Sequence, residues 1–249
     1  MFRDLEPIAP SVYVFPRDET PNTVQPNIGV IKLKNQIILI DSGNSPRHAR
    51  QIMAAINNNL LPPIRTIILT HHHWDHSFGL ASFNNCRIIA HEKCAAYLRD
   101  YAERDWNATI LHEEIAENPK REISNNAMID AISDWRNFRI MQSDMTFSDS
   151  LTLHLDELLI ELEYVGGRHA DDSIIVRLPE QRVMFVGDSY YPEPYHIRAD
   201  GDEDLDLVML DKFLEADYDI YVDGHGPPRT HGEFRKMIAW EKGRQGVTD

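Results

Sequence analysis

Four histidines and an aspartate fall within six positions of the stretch THHHWDHSFG, residues 70–79. Imidazoles packed that closely repel one another once protonated, so such a cluster is costly unless something uses their lone pairs. His71, His73, Asp75 and His76 form the pattern H-x-H-x-D-H. A turn directly after the preceding run, RTIILT, lets His71 and His73 reach one point while Asp75 and His76, opening a helix, face a second point nearby. Imidazole nitrogen and carboxylate oxygen are zinc donors, and a catalytic zinc commonly takes three protein ligands and keeps one position open for water. Two such points need more donors than this motif supplies.

The missing donors are expected at strand ends further along. His169 sits in the Gly-rich turn VGGRHADDS, Asp188 ends the apolar run VMFVGD, and His225 follows DIYVDG between Gly224 and Gly226. Any of the three, alone, reads as an ordinary turn or cap residue. Their succession after H-x-H-x-D-H is what makes them ligand candidates.

Those residues need rigid elements behind them. SVYVF, NIGVIKLK and QIILID are short β-rich runs separated by turn signals, which predicts antiparallel strands at the start of the chain. SPRHARQIMAAINNNL predicts a helix, with Ser45 as cap, Pro46 in the first turn and an apolar stripe at Ile52, Ala55 and Ile56. RTIILT and CRIIAH predict two more strands, and residues 92–142 read as two or three helices carrying Trp106 and Trp135. The second half returns to strands at SLTLHL, ELLIELEYV, SIIVRL, RVMFVGD and YDIYVDG, with helices expected near residues 203–214 and 231–243. One domain over residues 1–249 is expected.

Composition narrows the function classes. Hydrophobic residues at 42% and charged residues at 26% are ordinary globular usage, and no run of roughly 18 apolar residues indicates a membrane span. The opening MFRDLEPIAPSVYVFP lacks the basic start and apolar stretch of a signal peptide, which leads to a cytoplasmic expectation. A formal charge of −15 argues against a nucleic-acid partner. Cys86 and Cys94 are expected as reduced thiols without a role. The acids Asp200, Asp202, Glu203, Asp204 and Asp206 read as a solvated run favouring the dipole of the following helix.

The order DSG (Asp41 to Gly43), HHHWDH, GGRHADDS, GDS and GHG resembles the five motifs of the metallo-β-lactamase superfamily. The resemblance implies an α/β fold, an αββα four-layer sandwich with a metal site at one edge, here with a helical insertion at about residues 99–142. It further implies that His71, His73 and His169 hold one divalent ion, that Asp75, His76 and His225 hold a second, that Asp188 bridges both, and that Asp41 supports the site without being a ligand. His48, His72, His91, His112, His154, His196 and His231 are left outside the ligand set, with His72 and Trp74 packing beside the metals.

The activity so implied is hydrolysis of a small molecule at an ester, lactone, thioester or amide carbonyl by a hydroxide bridged by two divalent ions, zinc first, with iron or manganese as alternatives. Asp75 and Asp188 are the catalytic carboxylates on this reading. Tyr191, three positions after Asp188, matches a tyrosine of the superfamily's lactonases and is expected to donate to the oxyanion. Persulfide dioxygenases of the superfamily share the H-x-H-x-D-H motif but use one iron, so an oxidoreductase is the alternative. No membrane partner is expected, and a homo-oligomer is left open. The short run after His225 argues against a glyoxalase II-like enzyme, and the long interval between His76 and His169 is read as a lid or a covering layer.

Overall fold

Short apolar strands build two sheets whose inner faces meet. The structure is a computed structural model describing residues 3–20 and 22–247; Met1, Phe2, Pro21, Thr248 and Asp249 lie outside it. The first sheet runs in chain order through β1 (Glu6–Ala9), β2 (Val12–Phe15), β3 (Ile28–Lys32), β4 (Ile37–Ile40), β5 (Ile64–Ile68), β6 (Arg87–His91) and β7 (Met145–Phe147). β1 to β4 are antiparallel, as expected, whereas β4, β5, β6 and β7 are parallel. β1 and β7 were not legible as strands. The first pairs with β2 through a shifted register, and the second is only three residues long.

The second sheet has the order β13-β12-β11-β10-β9-β8, formed by β8 (Ser150–Leu155), β9 (Leu158–Tyr164), β10 (Ile174–Leu178), β11 (Val183–Gly187), β12 (Ile220–Asp223) and β13 (Arg229–Thr230). Central strands β4 and β11 are buried at every residue, so they read as continuous apolar runs, while β9 alternates between buried and half-buried positions.

Three apolar clusters define four layers. Val14, Ile40 and Ile68 meet Ile160, Val176 and Phe185 between the sheets. Outside the first sheet, α1 (Pro46–Asn58) and α3 (Glu92–Glu103) lay Ile52, Ile56, Cys94 and Leu98 on Val30, Leu39 and Ile67. Outside the second, α6 (Leu207–Glu215) and α7 (His231–Arg244) set Leu210, Phe213, Phe234 and Ile238 against Ile175, Met184 and Tyr221. This is the αββα sandwich.

Local chemistry explains the helix ends. Ser45 accepts from the His48 amide with Pro46 in the first turn, and Thr230 and Glu233 form a reciprocal capping box on α7. The helix expected from residue 203 begins at Leu207, because Asp206 takes the cap and accepts from the Met209 amide. The acidic run before it lies at the surface and is also paired: Asp200 meets Lys120, Asp202 meets Arg168 and Asp204 meets Arg244.

Between α3 and β7 lie α4 (Ala108–Glu117), a 3-10 turn (Pro119–Arg121) and α5 (Glu122–Ala131). With the segment that follows α5 they carry a fourth apolar cluster, in which Leu111, Met128 and Phe138 pack on Trp74 and Phe78. Since α3 belongs to the sandwich, the extra layer starts after Glu103 and is anchored to the short helix α2 (Trp74–Ser77) of the histidine motif itself.

His48 is fully buried on α1, where its Nδ1 accepts from the Asn44 amide and its Nε2 has no hydrogen-bond partner among the described residues. Burial, reinforced by the positive charge of Arg3, pushes its pKa down to about 3, so it stays neutral in the fold. The unfolded chain takes up a proton near pH 6.5, so this histidine's contribution is present above that pH and is lost as the pH falls from about 6.5 towards 3, at up to about 1.4 kcal/mol per pH unit. Urea unfolding followed from pH 7 to pH 5 should therefore show a shallower loss of stability in His48→Gln than in the unaltered chain.

Candidate metal centre

The site is assembled where strands end. β4 ends before Asp41, β5 before the histidine motif, β11 before Asp188 and β12 before Gly224 and His225, while the β9–β10 connection supplies His169. The two sheets are pinned to one another here: the Ile174 amide donates to the Thr70 carbonyl at 2.9 Å, and the Asn27 amide to the Gly224 carbonyl at 2.7 Å.

His71, His73 and His169 converge in one cluster, and Asp75, His76, Asp188 and His225 in a second, with the donor atoms of each within 4.8 Å of one another. All seven sequence candidates are thus brought together. His71 Nε2 and His169 Nε2 both lie 3.0 Å from His73 Nδ1. Asp188 Oδ2 lies 3.3 Å from His169 Nε2, 3.4 Å from His76 Nε2 and 3.3 Å from His225 Nε2, and Asp75 Oδ2 lies 3.0 Å from His225 Nε2.

Surrounding acceptors set the tautomers. Asp41 Oδ2 takes the Nδ1 proton of His76 at 2.8 Å, and the Pro192 carbonyl takes that of His169 at 2.9 Å. Thr70 Oγ1 donates to Asp41 at 2.8 Å, so it can accept from His71 Nδ1 at 3.1 Å. Each of these rings then turns its Nε2 inwards, the arrangement in which metal-binding imidazoles are held. Asp41 does this from a backbone with φ of 67°, a left-handed conformation rare for a residue with a side chain and concentrated at functional sites.

These donors fit divalent ions on their chemistry. Three imidazole nitrogens facing one point with at most one proton among them leave lone pairs opposed. Among the described residues, Asp188 Oδ1 and His76 Nε2 are buried without hydrogen-bond partners. Buried polar atoms in that condition are costly unless a cation takes them. Burial and the neighbouring imidazoles hold His71 and His73 neutral, well below the ordinary histidine range. Burial also opposes the charged form of His225, yet Asp188 and Asp75 outweigh it and push its pKa up to about 10. The same attraction, overcoming burial, keeps Asp75 and Asp188 well below the carboxylate range. The two clusters, one of histidines and one of histidines and aspartates, are therefore placed to bind metal ions.

Sequence reasoning missed the residues that hold the donors in place. Asp223, 3% exposed, accepts from the hydroxyls of Tyr190 at 2.5 Å and Tyr191 at 2.9 Å, from the His225 amide at 3.1 Å, and from the Gly226 amide and Arg229. Asn27 Nδ2 bonds the carbonyls of Asp223 and Gly226. Asp172 is fully buried and accepts from both the amide and Nδ1 of His72, turning that ring away to stack on Tyr97 at 4.0 Å. Asp172 was visible in ADDS after His169; nothing marked Asp223 or Asn27, whose partners are distant in the chain. Trp74 points into the extra helical layer, donating to Ser124 at 3.0 Å.

Tyr191 stands between the clusters, its ring 5.9 Å from that of His169 and 6.3 Å from that of His225. Its hydroxyl proton is engaged by Asp223, so donation to a substrate oxygen requires that bond to be given up. A cleft of about 720 Å³ opens onto this centre and is lined by His73, Asp75, His169, Asp188, Tyr191 and His225 together with side chains of the helical layer.

A two-sheet sandwich with His/Asp clusters at one edge defines a metal-binding class of protein. A family model described as the metallo-beta-lactamase superfamily matches residues 21–225, and the chain belongs to that superfamily, whose members are mostly metal-dependent hydrolytic enzymes. It is 27% identical over 192 residues to the 2,4-dinitroanisole O-demethylase subunit alpha of Nocardioides sp. (strain JS1661), and 22% identical over 223 residues to the linear primary-alkylsulfatase of Pseudomonas sp. (strain ATCC 19151). These alignments take in 76% and 80% of the chain but only 49% and 41% of the relatives, so the chain spans about half the length of the curated relatives it matches. Among solved structures, a metallo-beta-lactamase from Pontibacter korlensis superposes with a TM-score of 0.63 at 17% identity, covering 96% of this chain and 98% of that one. The sec-alkylsulfatase Pisa1 from Pseudomonas sp. gives 0.68 at 14% identity, over 96% of this chain and 41% of that one.

A Cβ at Gly224 would collide with Asp188 Oδ1 and come within 3.0 Å of His76. Gly224→Ala should fold, with native circular dichroism, but carry less metal per chain than the unaltered protein by elemental analysis. Asp223→Asn should lower stability by on the order of 3 kcal/mol in urea unfolding, because it leaves Arg229 without its buried counter-charge.

Proposed function

We propose that this chain is a dinuclear metal-dependent hydrolase acting on an ester, lactone, thioester or amide carbonyl of a small molecule. The reading rests above all on Asp188, whose Oδ2 lies at nearly equal distance, 3.3 to 3.4 Å, from histidines of both clusters. A carboxylate so placed serves two ions at once. On this proposal His71, His73 and His169 hold one ion, Asp75, His76 and His225 the other, and Asp188 both. A donor set of imidazole and carboxylate favours zinc, with iron or manganese as alternatives.

When bound, divalent ions supply Lewis acidity and bring the pKa of water from about 15.7 towards about 7. The chain's own residues do the rest. Asp188 sets the spacing of the two sites, Asp41 and the Pro192 carbonyl fix the ring orientations of His76 and His169, and the helical layer walls the cleft. No protein nucleophile is required: Ser42, Ser77 and Ser189 spend their hydroxyls on backbone carbonyls. The relatives' names, an O-demethylase and an alkylsulfatase, put aryl ethers and sulfate esters beside carbonyl compounds in a substrate screen.

Elemental analysis should find close to two divalent ions per chain. A single iron per chain with oxygen uptake on persulfides would move the assignment to the dioxygenase-like oxidoreductase. Asp188→Ala should cost at least on the order of 10²-fold in turnover and more than Asp75→Ala, which touches one site; near-normal turnover of a metal-replete Asp188→Ala would sink the bridging role. Because the Tyr191 hydroxyl is spent on Asp223, Tyr191→Phe should keep its metal and lose less than roughly 10-fold in kcat, whereas a larger loss would assign the phenol to oxyanion stabilisation.

A further inference from the structure

Large apolar side chains scattered singly over a surface are ordinary, but several gathered at the mouth of one cleft are not. Ile123, Tyr195 and Ile197 are 58%, 56% and 62% exposed, and all three line the cleft that leads to the metal centre. Leu60 and Val208 are still more exposed and do not line it. Deeper in, the same cleft is walled by Trp106, Leu111 and Met128 of the helical layer. Apolar side chains therefore line this cleft both at buried positions and at the surface, with charged ones such as Arg104, Glu114 and Arg121 among them.

The mouth is built rather than loose. Ile123 stands in the first turn of α5, while Tyr195 and Ile197 belong to the segment after Asp188. Polar ties join the two sides: Asn118 Nδ2 donates to the His196 carbonyl at 2.9 Å, and Lys120 Nζ donates to the Arg198 carbonyl at 2.8 Å and pairs with Asp200 at 2.6 Å. These ties fix the backbone on both sides while leaving the apolar side chains facing water, which is unfavourable unless a ligand covers them.

We infer that the cleft takes a substrate with an elongated apolar body, an alkyl or aryl chain whose free end reaches the Ile123, Tyr195 and Ile197 mouth while its reactive bond lies at the metal centre. The inference rests on the proposed hydrolase activity only for the bond that is broken. The chain-binding track stands on its own lining.

Straight-chain carboxylates from butanoate to decanoate, titrated calorimetrically into the metal-loaded protein, read the track without any turnover. Their common head group contributes equally, so the dependence on length reports the apolar walls. The dissociation constant should fall roughly 4-fold for each methylene that is buried. In the double variant Ile123→Ser, Ile197→Ser, both exposed positions, the gain for the longer members should shrink, with metal content measured as the control on folding. A dissociation constant independent of chain length, or a dependence identical in the variant, overturns the inference. A steep dependence in a protein that hydrolyses none of the screened substrates keeps the track and removes the hydrolase reading, and turnover with a flat dependence does the reverse.

Discussion

A carboxylate that is almost completely removed from water and surrounded by imidazoles is the constraint on which this structure turns. Asp188 is 2% exposed and one of its oxygens has no hydrogen-bond partner among the described residues. Burying such a charge unpaired would cost many kcal/mol, and here the surrounding imidazoles outweigh the burial and hold the carboxyl well below its usual range. The fold answers by bringing histidines from three separate chain segments to within 3.4 Å of it. The whole edge of the sandwich is shaped by that convergence. Glycine at 224 leaves room for the carboxylate, and Gly187, at φ of 52°, turns the chain sharply as β11 ends.

Around this centre a second ring of buried acids does positioning work. Asp41, Asp172 and Asp223 are each nearly inaccessible, and each is surrounded by donors from elements far apart in sequence. Asp41 orients His76, Asp172 draws His72 out of the cluster, and Asp223 ties the His225 turn to Tyr190, Tyr191 and Arg229. Fully satisfied polar networks in a dry environment are stiff, and stiffness keeps seven donor side chains converged on two points.

The helical layer shares its footing with the site. By packing Leu111, Met128 and Phe138 on Trp74 and Phe78, it attaches directly to the helix that carries Asp75 and His76. One surface of that short helix faces the metal donors and another is the floor of an apolar cluster, so the wall of the cleft and the chemistry share a foundation. The solved structures agree on the fold at low identity.

The sandwich and its donors were legible because their signals are local. A buried strand such as IILI must be apolar at each position, a helix start such as Ser45-Pro46 declares itself within three residues, and H-x-H-x-D-H sets four donors on one turn. Asp223, Asn27 and Asp172 were not legible in their roles, since an acid or amide at a strand end looks the same whether it caps a turn or organises a site. Their partners lie as far as 199 positions away, as with Asn27 and Gly226. The boundary of the extra layer was likewise a matter of which surface α3 covers, not of its own sequence. What the sequence determined by itself was which residues have the chemistry. Which of them share a proton, a cavity or a carboxylate was decided only when two sheets packed face to face, because hydrogen bonds and ion pairs depend on distances of a few ångströms that no spacing along the chain encodes.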